Sequence, residues 1–138
     1  FTLGDPIMYG LATADVWEGV YPAAPAQSGV PGEPAADRVI EILKKYDPAL
    51  AGKEYLALFG AVSMMHLVEG LKNAGKDLTP DSLVKGMEMI KNWKPEGIGA
   101  PVTYAPDQHH GLNGSRMMKA EKGKHVPVSD YVIYKPLF

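Results

Sequence analysis

Between Tyr55 and Val68 lie 14 residues without a formal charge at neutral pH, mostly apolar and spaced as one helix. A stretch of that kind must be covered by other parts of a protein or by lipid, and it falls short of the ~20 residues that span a bilayer. It is therefore expected as a buried helix over residues 54–74. Tyr55, Leu58, Phe59, Val62, Met65, Val68 and Leu71 leave few sides polar, so more than one neighbour has to cover it. Gly75 follows as its stop.

Two further helices bracket it. Pro34 suits a first helical turn, and Val39, Ile40 and Leu43 form one face, predicting a helix over 34–45 that ends before Pro48. Thr79-Pro80-Asp81 is a start signal with an acid near the positive end of the helix dipole, predicting a helix over 80–92. Phe59, Val62, Leu83, Met87 and Ile90 are the expected core. Residues 1–14 suit a loop feeding a short helix, and Trp17 to Tyr21 suit a turn entering a strand. That strand is cut short by Pro22, Pro25, Pro31 and Pro34 with Gly29 and Gly32. Beyond Pro95 the pattern turns to strands, at 102–104 and then at 116–120 and 131–134 around a turn at Gly123. The coarse order is strand, three helices and strands, with no internal repeat.

Composition excludes several functions. With 46% hydrophobic and 22% charged residues over 138, the chain has the balance of a folded globular domain. A net charge of -2 from 14 basic and 16 acidic side chains leaves no nucleic-acid footprint. Lys119, Lys122 and Lys124 cluster in what is expected to be a solvated hairpin tip. The lack of cysteine removes disulfides and thiolate chemistry without fixing the compartment. His109 and His110 near Asp107 are the one dense group of metal-ligand types, but packing beside a chain crossing accounts for them, so no metal is expected. His66 is expected as a hydrogen-bonded core histidine and His125 as exposed in a turn. No serine sits in a nucleophile elbow, no carboxylate pair stands out and no phosphate loop occurs, so neither a catalytic residue nor a cofactor is expected. The start at Phe1, without an export leader, reads as a removed start or a fragment.

Four stretches, in order, carry a family resemblance: Trp17-Glu18-Gly19-Val20-Tyr21 with the proline-rich crossing, Tyr55 to Gly75, Lys76 to Leu83, and Gly99 to Gly111 with the hairpin running to Val132. Together they resemble the C-terminal part of the periplasmic solute-binding proteins of branched-chain amino acid ABC transporters. The resemblance implies a two-lobed type I periplasmic binding fold, closing like a flytrap, whose upstream half lies outside this sequence. It implies residues 1–23 in the second lobe, 24–111 in the first and 112–138 back in the second. The lobes would be α/β, with crossings at Pro22 to Pro25 and near His110 to Gly114, where Pro22, Pro25, Gly111 and Gly114 would be the hinge residues.

The resemblance also implies a function: capture of a small polar solute such as an amino acid, delivery to an ABC permease, and a bacterial periplasmic or extracellular place at the membrane. Asp5 would pair with the ligand's ammonium and Tyr9 would contribute a wall. The uncovered side of helix 54–74 would meet the missing N-terminal portion or a second copy. The alternatives are a ligand-sensing regulatory or receptor domain of the same fold, and an enzyme or structural protein, which a turnover dependent on His109 or His110 would favour.

Overall fold

The computed structural model describes residues 7–25, 30–50, 53–111 and 114–134. Helices α1 (Ile7–Ala12) and α2 (Ala14–Trp17) lead into strand β1 (Ala23–Pro25). Helices α3 (Pro34–Tyr46), α4 (Glu54–Ala74) and α5 (Pro80–Glu88) follow. Strands β2 (Gly114–Glu121), β3 (Lys124–Pro127) and β4 (Val132–Ile133) complete a mixed helix and sheet fold. No helix among the described residues is long and apolar enough to cross a membrane.

The three main helices start where expected, at residues 34, 54 and 80. Pro34 and Pro80 both stand in the first turn, and Thr79 and Ser82 form a reciprocal capping box that satisfies two otherwise orphaned backbone donors. Gly75 ends α4 with φ 80°. The last helix stops at Glu88 rather than 92. Asn92 takes φ 48°, and residues 90–93 turn to pair with 102–104: Trp93 and Val102 exchange backbone bonds of 3.0 and 2.8 Å, and Tyr104 donates to the Ile90 carbonyl. The strand expected at 102–104 is thus an isolated bridge, because its partner is the frayed end of a helix.

One core joins α3 to α4 through Ala36, Val39, Ile40, Leu58 and Val62, closed by Ile98. A second gathers Ile90, Ala100 and Val102 beneath Met87, Trp93 and Tyr104. Val62 and Ile90 are buried as expected, whereas Leu83 and Met87 are half-buried. Phe59 is a correction, with 39% exposure. It lies one residue, hence about 100°, round the helix from Leu58, off the seam that faces α3. Leu56, Met64 and Val68 are exposed too, so α4 keeps an uncovered apolar side.

Helices α4 and α5 meet backbone to backbone. A Cβ on Gly86 would lie 2.3 Å from the Gly70 carbonyl oxygen and 2.7 Å from the Ala74 nitrogen, and one on Gly70 would collide with Met87. Asn73 locks the crossing by donating to the Gly86 carbonyl at 3.1 Å.

In the sheet, β2 is central. On one edge it pairs antiparallel with β1, and on the other with β3 at its far end and β4 at its near end. The β2–β3 hairpin closes through Lys122 and Gly123, both at positive φ, the geometry of a two-residue turn that matches strand twist. Residues 131–134 were expected to form this hairpin's second strand. They pair instead with Gly114 and Ser115, since β3 already occupies the register next to the turn.

Gly86→Ala is expected to destabilise the protein by about 2 kcal/mol, because rigid backbone must move. Gly60→Ala, where an added Cβ meets open space, should instead gain up to ~1 kcal/mol of helix propensity. Urea unfolding of the two variants checks both signs.

Candidate functional site

Strands β1 and β4 and the start of β2 come together as one ribbon. Ser115 faces Pro25 on one side and Val132 on the other, so the first residues of β2 run between β1 and β4. Proline has no N–H to donate, and here the chain uses carbonyls: Pro22 accepts from Met118 at 2.9 Å and Val20 from Ala120 at 2.8 Å. Pro22 is fully buried and Pro25 half-buried, so both expected hinge prolines lie inside the ribbon.

A charged residue occupies the ribbon's inward face. Along β2 the buried positions are Arg116, Met118 and Ala120, with Met117 exposed between them. Arg116, 8% exposed, donates through Nη2 to Glu33 Oε1. Its guanidinium also lies 4.5 Å over the Tyr131 ring. Glu33 Oε2 accepts from the Val30 backbone at 2.9 Å, so this carboxylate ties the entry of α3 to β2. Burial raises the Tyr131 hydroxyl above its usual range, with Arg116 pulling the other way. Beside the cluster is a recess of about 350 Å³ lined by Glu33, Lys94, Arg116, Tyr131 and the Gly97-Ile98-Gly99 turn. Sequence reading took Arg116 only as part of a strand. Its signal was register, a cation in phase with Met118 and Ala120.

Gly111 and Gly114 lie at the place expected for the second crossing. Gly111 is buried at φ 63°, its carbonyl accepts from Thr103 at 3.0 Å, and an added Cβ would sit 2.4 Å from the Tyr104 ring. Gly114 starts β2, and residues 112 and 113 lie outside the described set. Tyr104 is backed by His66, whose Nδ1 lies 3.4 Å from the phenol oxygen and whose ring meets Trp93 edge-on at 5.6 Å. His66 is half-buried, and desolvation lowers its pKa. Its Nε2 has no hydrogen-bond partner among the described residues.

The other end of the sheet holds Tyr9. Its hydroxyl donates to Glu18 at 3.1 Å and lies 3.4 Å from the Lys124 carbonyl, and its ring is 5.7 Å from that of His125. His125 was expected exposed but is 6% exposed, because the Trp17 indole donates to its Nε2 at 2.8 Å and covers it. Glu18 also caps the hairpin tip: the Lys122 N–H bonds it at 2.7 Å and lowers its pKa. Asp5 lies outside the described residues, so its position relative to Tyr9 is not drawn. His109 bonds Glu88 at 2.9 Å, and among the described residues no three His, Cys, Asp or Glu side chains group closely enough to hold a metal ion.

The profile of a family described as periplasmic binding protein matches residues 2–124. Among curated proteins no sequence matches significantly. Three solved structures share the fold. A branched chain amino acid ABC transporter protein from Thermus thermophilus, with bound valine, aligns at 22% identity and a TM-score of 0.75, over 95% of this chain and 37% of that one. A leucine binding protein from Thermotoga maritima aligns at 13% and 0.60, over 92% and 34%. An extracellular ligand-binding receptor from Rhodopseudomonas palustris aligns at 17% and 0.58, over 90% and 37%. The chain thus spans little more than a third of the length of these structures.

Burial of His66 generates a pH dependence. Its folded pKa lies below the unfolded value, so the unfolded chain takes the proton more readily. This contribution is intact above about pH 6.5 and is lost as pH falls toward the lowered folded value. Melting temperature should drop between about pH 7.5 and about pH 5.5, and His66→Phe should remove part of that drop. An identical drop in the variant would assign the dependence to other groups.

Proposed function

Since the chain belongs to the periplasmic binding protein family, we propose that it is part of an extracytoplasmic binding protein that closes two lobes on an amino acid and presents it to an ABC permease. The observation that carries this reading is the ribbon, where segments far apart in sequence run side by side and are held by carbonyls, glycine and one buried ion pair. Residues 24–111 form one lobe on this reading, and residues 1–23 and 112–138 belong to the other. Two packing groups support the division. The helices share apolar seams, while Trp17, His125 and Tyr9 fasten α1 and α2 to the hairpin.

Closure needs no bond chemistry. A ligand stabilises the closed form only by touching both lobes, and the differential contact is the whole of the driving force. The valine bound to the Thermus thermophilus structure makes a branched aliphatic amino acid the first solute to test. Asp5 is assigned to the ligand's ammonium, where a partly desolvated carboxylate pairs at short range. Tyr9 is assigned to the ligand's wall, with its ring carried on α1 and its hydroxyl bonded to Glu18.

Calorimetric titration of the full-length protein with a panel of amino acids should give one saturable site, with compaction on binding seen by small-angle scattering. Asp5→Ala should weaken that binding by about 2 to 5 kcal/mol, the cost of leaving a buried charge unpaired. No binding across the panel rejects the amino-acid reading, and unchanged affinity in the variant rejects the role of Asp5.

A further inference from the structure

The buried ion pair of the ribbon has more contacts than strand pairing requires. Arg116 sits opposite Ala24 in β1, bonds Glu33 just before α3, and stacks on Tyr131 just before β4. One guanidinium therefore links β2 to the residue before α3 and to the residue before β4, while the Arg116 backbone pairs with β1. Glu33 stands 83 residues away in sequence, so the bond reports tertiary position alone.

Stability is a poor explanation for this pair. A buried Arg paired with one partly exposed carboxylate gains little over a well-packed apolar side chain of similar size, because desolvation of the guanidinium and solvent screening at Glu33 offset most of their attraction. The neighbours at Met118 and Ala120 show that apolar residues serve this face. Arg116 brings instead a directional constraint, since a planar fork of donors fixes both the angle and the distance of its acceptor. The partner is less confined. Glu33 has a side chain 30% exposed, at the mouth of the recess it shares with Lys94, a second cation. Arg116 Nε has no partner among the described residues, so the fork is not saturated. The charged and titratable groups lining the recess are Glu33, Lys94, Arg116 and Tyr131.

Resting on the binding-protein reading above, we propose that Arg116 and Glu33 are positioning residues for lobe closure, holding the ribbon segments at the angle that sets how far the ligand-free lobes separate. Neither residue needs to touch the solute. Loosening the pair widens the range of open forms, and a smaller closing-competent population lowers apparent affinity in proportion.

The test uses the full-length protein with spin labels at Lys85→Cys on α5 and Lys124→Cys on β3, two exposed positions among 138 residues that hold no cysteine, with any cysteine outside them replaced by serine. Pulsed electron paramagnetic resonance reads the distance between them without ligand. Arg116→Met and Glu33→Gln should broaden and lengthen that distribution and weaken amino-acid binding on the order of tenfold. Arg116→Lys, which keeps charge but not the fork, should fall between. Should Arg116→Met fail to fold, Glu33→Gln, close to isosteric and partly exposed, decides alone. A cooperatively melting variant with the wild-type distance distribution overturns the proposal. Wild-type protein that binds no amino acid rejects the functional reading, while the label distances still decide the positioning role.

Discussion

Strand β2 has to satisfy hydrogen bonds on both edges, and the rest of the chain is arranged around that requirement. Its near half lies between β1 and β4, and its far half between the carbonyls of residues 20–22 and strand β3. Buried backbone groups without partners cost as much as a lost hydrogen bond, so each flanking segment is held in place. A proline-rich segment can serve as an edge because it supplies acceptors where β2 supplies donors. The helices and the hairpin are then carried away from the two ends of this strand.

The helical part is held by close approach instead of bulk. Gly70 and Gly86 let α4 and α5 touch along their backbones, and Asn73 adds a directional bond across the contact. Close packing of this kind loses contacts steeply when a gap opens, which makes the pair rigid. Elsewhere α4 is different, and Leu56, Phe59, Met64 and Val68 are all exposed. A third cluster joins the helices to the ribbon, since Tyr55 of α4 packs with Ala24, Val30 and Met118.

How much was legible follows from how local each signal is. The starts of α3, α4 and α5 were readable because a cap, a first-turn proline and an apolar stripe act within a few residues. The lysine-rich tip at residues 122–124 was readable as a turn because positive φ favours glycine. The buried Pro22 and the positive φ of Gly111 fit the restricted or unusual backbone that proline and glycine announce in the sequence. Arg116 was not, because a single cation in a strand is ordinary until its register places it inward. His125 misled for the converse reason: histidine beside Lys124 and Gly123 looks like turn surface, and only Trp17, distant in sequence, covers it.

From the sequence alone came three helices in order, a proline-rich break after Tyr21, a turn at Gly123 and a likeness to the α/β periplasmic binding proteins. Each of these depends on periodicity, capping or turn chemistry, which neighbouring residues decide among themselves. Tertiary structure alone decided that residues 131–134 pair with the start of β2, that α5 ends at Glu88, that Phe59 faces outward and that one guanidinium binds Glu33 and stacks on Tyr131. Those outcomes are set by competition among segments far apart in sequence for the same edge, seam or charge. Such a competition is resolved only when the whole chain is packed, because the free energy of each contact depends on which rival contact it displaces.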